Sequence, residues 1–321
     1  MVSQSARRHH YVPAFCLGGF TDIGTKSGQL WVHDLVRGKQ YPTSPEKVGL
    51  ERDFNLLETS EIDALSLEDA FEASETRAAP VISSIAESHD LPVGEDLERL
   101  LEFITLLAYR TPAVRNSIAD STAHLARLIL DVASSSPERW QSFIARFERE
   151  TGASMTGSYE DHRRVIRTCE IKVHDNDWLR GMTLVGVSET LETMRNRSWS
   201  LLVSSDSAAT FVTCDHPVSL AWTRDELIGG FYQPGFGLND TRVSIPLTKT
   251  CFMMGEYDRP SVTARADQTV VALMNAGTAL CAQRFLASPF EEFPWHDGTQ
   301  VRVSLDGHHL FQQDRDDDSA G

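Results

Sequence analysis

Trp199-Ser200-Leu201-Leu202-Val203 marks the point where the chain changes character. Upstream, from about residue 61 to residue 195, apolar residues recur at helical spacing. Leu97, Leu100, Leu101, Ile104, Leu107 and Ala108 form the clearest such run. After Arg197 the pattern turns to short apolar stretches. Trp199 to Val203, Thr210-Phe211-Val212-Thr213, Val243-Ser244-Ile245-Pro246-Leu247 and Cys251-Phe252-Met253-Met254 read as strands. A helix is expected over 266–282, then a short strand at Phe285-Leu286-Ala287. Helices gathered in the middle and strands towards the C-terminal third predict an α+β fold. The expected architecture is a helical middle region packed on a mostly antiparallel sheet built from N- and C-terminal strands.

Working outward, Ile62, Leu65 and Phe71 open the first long amphipathic stretch. The Leu97 helix should end near Arg110, because Pro112 disfavours helical geometry at Thr111. Further helices are expected at 114–132, 138–150, 160–173 and 175–194, with Ser136-Pro137 and Thr151-Gly152 as punctuation. Nearer the N-terminus, Gln29-Leu30-Trp31-Val32-His33-Asp34-Leu35 alternates as a strand should, and Gln40-Tyr41 reads as its return after Gly38. The chain is expected to form a single domain over 1–312. The run Asp314-Arg315-Asp316-Asp317-Asp318 lies in an acidic tail, 313–321, expected to be disordered.

The 321 residues are 41% hydrophobic and 24% charged, enough to bury a substantial core. No stretch reaches the roughly 18–20 apolar residues that a membrane span needs. No leader-type apolar core stands behind the arginines and histidines of the first eleven residues, so no secretory leader is expected. Cys16, Cys169, Cys214, Cys251 and Cys281 are widely spaced and form no CxxC pair. Reduced thiols in a cytoplasmic protein follow. The formal net charge of −16 argues against holding nucleic acid by phosphate neutralisation alone, and against an anionic membrane surface.

Adjacent His9 and His10 on an extended chain point to opposite sides. Imidazole titrates near neutral pH and ligates transition metals. A solvated chain end is the plain alternative, against which the apolar run from Tyr11-Val12-Pro13 to Leu17 counts. Asp215, in Thr213-Cys214-Asp215-His216-Pro217, sits after a strand in a proline-fixed turn, a position that suits a ligand or general base. The competing reading for Asp215 is an Asx turn on local amides, and His216 reads as a turn residue in preference to a ligand. Glu68, Glu72 and Glu75 share one helical face, which suits either a divalent cation or plain solvation. Arg110, with Arg115 one turn beyond Pro112, suits an anion, a helix C-terminus or a glutamate partner. Asn275 and Arg284 flank the end of the last main helix and fit structural or ligand-orienting roles. There is no GxGxxG, GxxxxGK, HExxH or GxSxG motif.

Arg8-His9-His10-Tyr11-Val12-Pro13, Phe15, Leu17 and Phe20 open a pattern that continues through Gly28 to Asp34 and Val48 to Phe54. It resumes at Glu75, Tyr109-Arg110-Thr111-Pro112 with Arg115, Phe211 to Pro217, Ile245-Pro246-Leu247 and Asn275 to Arg284. In this the chain resembles the bacterial and fungal domain-of-unknown-function family numbered 4238, over most of its length apart from the acidic tail. The family has Thr-Ser-Asp-Asn-Pro where this chain has Thr213 to Pro217, so the resemblance favours Asp215 over His216 and implies no role for Cys214. It implies positions and no reaction.

Together these residues lead to an expectation that His9, His10, Glu75, Arg110 and Asp215 converge. His9, His10, Glu75 and Asp215 would hold a divalent ion (Mg, Mn or Zn), with His10, Asp215 and Arg110 as the catalytic set. A metal-dependent phosphodiesterase or nuclease, acting on an anionic small molecule or nucleic acid, fits that set. The alternative class is a binding or interaction module, such as a sensor or immunity component, in which the His-Asp-Arg network only holds the fold.

Overall fold

The computed structural model describes the backbone of residues 8–52, 64–173, 177–230 and 232–303, and the side chains of 10–51, 71–173, 186–230 and 232–303. The acidic tail at 313–321 and the expected helix start at Ile62 lie outside the described residues. In chain order the elements begin with β1 (Arg8–His10), α1 (Ala14–Gly18), β2 (Leu30–Asp34), β3 (Lys39–Thr43) and β4 (Leu50–Arg52). The helical region follows: α2 (Ala64–Ser88), α3 (Glu95–Tyr109), α4 (Pro112–Ala133), α5 (Pro137–Thr151), α6 (Tyr159–Thr168) and α7 (Asp177–Arg195). The last part holds β5 (Ser198–Ser204), β6 (Thr213–Cys214), β7 (Ser219–Trp222), β8 (Thr241–Pro246), β9 (Cys251–Glu256), β10 (Thr263–Ala266), α8 (Gln268–Cys281), β11 (Phe285–Ser288), β12 (Trp295–His296) and β13 (Val301–Arg302). The fold is α+β, as the segregation of patterns predicts.

The chain gathers into two compact units. One comprises Met1–Ala113 with Gly181–Gly321, the other Val114–Arg180.

In the first unit the strands make two principal sheets rather than one. A five-stranded sheet, ordered β10-β5-β9-β8-β7, comes wholly from the stretch Ser198–Ala266. It is antiparallel except where β10 runs parallel to β5. A four-stranded antiparallel sheet, ordered β3-β2-β11-β6, mixes N- and C-terminal strands.

Strict alternation in β5 sends Trp199, Leu201 and Val203 to one face of the larger sheet, where they are buried. They join Val243, Ile245 and Met253 in packing on Ala78, Val81, Ile82 and Ile85 of α2 and Leu100, Leu101, Ile104 and Leu107 of α3. Phe252, Phe211, Phe20 and Val271 of α8 share a separate cluster. Further along α8, Ala279 packs with Cys214 and Leu286 of the four-stranded sheet. That sheet also meets Tyr11, Val12 and Leu17 through Leu30, Val32, Phe285 and Ala287.

Local chemistry sets the helix limits. Glu95, Asp96 and Glu98 fill the first turn of α3, where the helix dipole favours acids. The helix ends at Tyr109, before the Thr111-Pro112 step. Asp267 caps α8 by accepting from Val270 N at 2.9 Å.

The second unit is helical. Ser136 and Ser158 cap α5 and α6, accepting from Arg139 N and Asp161 N. Buried Trp140 donates its indole N–H to His162 Nδ1 at 2.9 Å. The Arg127 guanidinium donates to the carbonyls of Ile166, Arg167 and Cys169, satisfying the C-terminal end of α6.

Among the described residues, no helix is long and apolar enough to cross a membrane.

Candidate functional site

The His9-His10-Tyr11-Val12-Pro13 segment enters the fold by strand pairing. β1 pairs antiparallel with β4, placing His10 opposite Leu50. Tyr11 N then donates to Gly49 O at 2.9 Å. Gly49 has φ +67, and a Cβ there would come within 3.2 Å of Val12, so glycine suits the crossing on both counts. Tyr11 and Val12 are buried. His9 lies on β1, but its side chain is outside the described ones.

His10 belongs to a first polar cluster. Its pKa is lowered by burial and, further, by the charge of Arg110, against a hydrogen bond to the backbone at Val48 that raises it. The neutral imidazole is therefore favoured, and its Nδ1 has no partner among the described residues. The Arg110 guanidinium is buried, pairs with Glu75 and lies 4.5 Å over the Phe71 ring. Of the three readings open to Arg110, the glutamate partner is the one found. Arg110 Nε and the buried Ser74 Oγ also have no partner among the described residues. Pro13, Phe71, Ser74, Phe103 and Leu107 wall the space beside the pair, which offers about 10 Å³ to a water centre, room for one water molecule. Cys16 feels both partners of the ion pair, but burial pushes its thiol well above the ordinary range, which leaves it inert.

Asp215 heads a second cluster. It is 1% exposed, and its Oδ1 accepts three backbone N–H groups: Gln283 at 2.9 Å, Arg284 at 3.1 Å and Phe285 at 3.3 Å. These amides lie where α8 gives way to β11, so the residue caps a distant junction. The local Asx turn is not what forms, and the physical reason is the pairing of β6 with β11, which lays the turn against that junction. The charge of Asp215 adds to burial in pushing the Tyr11 phenol up to about 12. Tyr11 hydrogen-bonds Arg284, whose guanidinium donates to Glu51 at 3.0 Å. Asn275 is fully engaged, accepting from Val212 N and donating to the carbonyls of Thr210 and Pro294. Its role is structural.

His216 ties the Asp215 turn to the Tyr109-Arg110-Thr111-Pro112 turn, with Nδ1 2.7 Å from Thr111 Oγ1. Burial lowers its pKa against the opposing charge of Asp215. It is therefore a bridging residue, more than the turn residue expected.

The expected five-residue convergence is only partly present. Arg110 pairs with Glu75 and its charge acts on His10, while Asp215 centres a second cluster whose charge acts on Tyr11, the residue after His10. Among the described residues, no three or more His, Cys, Asp or Glu side chains come together as a group that could hold a metal. Glu72 of the acidic row is exposed, and the side chain of Glu68 lies outside the described ones. Arg115 falls in the second unit. Ser74 and Phe71 were not singled out for this cluster. Their only signal is position on α2, one residue and one turn before Glu75.

No curated protein and no solved structure matches the chain. A family model described as "Protein of unknown function (DUF4238)" matches residues 8–289, so the chain belongs to that family.

Proposed function

We propose that this is a non-catalytic binding or interaction module whose His-Asp-Arg network holds the fold. The observation that carries the reading is the engagement of Asp215, whose Oδ1 takes three main-chain amide protons at once. A carboxylate used in this way is a structural clamp. Glu75 is likewise bound to Arg110, and the space beside that pair admits about one water. Reduced cysteines and an acidic surface suit a cytoplasmic protein. In this reading Asp215→Ala and His10→Ala lower the melting temperature by several degrees, and no turnover accompanies the folded protein. Unchanged melting of both variants would sink it.

A second reading is favoured by His10 itself. A buried neutral imidazole whose Nδ1 has no partner among the described residues suits a general base, and attack by water on an anionic phosphodiester would need that nitrogen and the Glu75-paired Arg110 to be uncovered when the anion binds. A nuclease or phosphodiesterase would have that chemistry. Its metal-dependent form places Mg, Mn or Zn on His9, His10, Glu75 and Asp215. The described side chains do not fit that site, since Glu75 is committed to Arg110 and Asp215 Oδ1 to backbone. Metal analysis, with hydrolysis of DNA, RNA and bis-nitrophenyl phosphate by wild type and His10→Ala, tests it. Absence of turnover that depends on His10 removes it.

A further inference from the structure

Ser121, Leu125, Leu128 and Val132 are all exposed along α4. Their spacing of four, three and four residues keeps them on one stripe, as the a and d positions of a helix-pairing seam require. Ile129 adjoins the stripe, and the three large aliphatics beyond Leu128 are each at least half exposed: Leu125 57%, Ile129 50% and Val132 61%. An open groove beside them is lined by Ala133 of α4 and by Arg139 and Ser142 of α5.

We propose that this stripe is where two copies of the chain pair, with α4 packed antiparallel on α4 of the second copy. The occupant is argued from complementarity of the flanks, an imidazole donor facing a carboxylate acceptor. His124 and Asp131 are exposed and lie one heptad apart, on the same flank of the stripe, and Asp131, half exposed, also pairs with Arg127 one turn before it at 3.5 Å. In an antiparallel pair such flanks face each other. When Leu125 of each copy sits in a layer with Leu128 of the other, His124 falls opposite Asp131, twice by symmetry. The same register sets Ser121 against Val132 and Thr122 against Ile129. A parallel pair lacks this cross-strand match. Charge also favours the location. Residues 114–180 carry as many basic as acidic side chains, so the acidity of the chain lies elsewhere and repulsion between copies is least at this unit. The proposal is independent of whether His10 has any chemistry.

Sedimentation velocity on the full chain at about 100 μM tests it. The wild type is expected to be a dimer, and Leu128→Glu a monomer with an unchanged far-ultraviolet dichroism spectrum. Asp131→Lys alone should weaken the dimer about tenfold, and His124→Glu with Asp131→Lys should restore it, because the pairing is reversed rather than removed. A monomeric wild type overturns the proposal. So does a Leu128→Glu dimer, or a double variant no better than Asp131→Lys.

Discussion

His216 Nδ1 lies 2.7 Å from Thr111 Oγ1, across 105 positions of sequence. The two motif turns, Tyr109 to Pro112 and Thr213 to Pro217, are thereby one joined structure. Replacing Thr111 with valine keeps the shape and removes the hydroxyl. A largely buried imidazole nitrogen then loses its partner, at a cost of about 1–2 kcal/mol. Chemical denaturation should show a lower midpoint with an unchanged slope.

Asp215 is the residue whose loss should be felt most. Alanine strands three amide donors in a buried place, which costs about 3 kcal/mol or more. Asparagine retains one acceptor oxygen and gives up the charge, for about 1–2 kcal/mol. Equal melting temperatures for the two variants would contradict the geometry.

Glu75 and Arg110 should behave as a unit. Glu75→Gln leaves a buried guanidinium without its counter-charge and costs about 3 kcal/mol. Arg110→Met leaves Glu75, which is partly exposed, and costs somewhat less. The double variant Glu75→Gln with Arg110→Met should fall well short of the sum, because each single change removes the same contact. A double-mutant cycle on thermal stability reads this directly.

Acid should destabilise the protein through His10 and His216. Burial lowers both pKa values in the fold, so each is held neutral there. The unfolded chain takes up those protons near pH 6.5. The contribution to stability is therefore complete above about pH 6.5 and is lost as pH falls from there towards the folded values. His216→Asn, which keeps a polar group towards Thr111, should flatten the stability profile below about pH 6.5. An unaltered slope would count against a buried neutral His216.

Long periodic elements were readable from sequence because their pattern is written in side chains. The run from Leu97 to Ala108 became α3, and Trp199 to Val203 became β5. β10 is not legible in the sequence because it is an edge strand, mostly exposed, with little apolar alternation to read. In Thr210 to Thr213 only the last residue joins a ladder, since Phe211 and Val212 bond elsewhere. The site was legible in residues and not in roles. Asp215 stood out, but its partners are backbone amides 68 to 70 positions away, and amides carry no residue signature. Glu75 and Arg110 each stood out alone, and nothing in a separation of 35 residues announces their pairing.

The place of β11 between β2 and β6 has a consequence for how the protein is made. His33 of β2 and Ser288 of β11, whose side chains hydrogen-bond, are 255 positions apart. During synthesis β2 and β3 emerge early, yet the strand that completes their sheet is among the last described parts to be translated. Closing so long a loop is slow compared with forming α2 and α3, which are neighbours in sequence. Until Phe285 to Ser288 arrive, one edge of β2 and the apolar faces of Leu30 and Val32 stay open. A nascent chain halted before residue 285 should therefore be protease-sensitive in its first fifty residues, and release of the full chain should close them in a single late step.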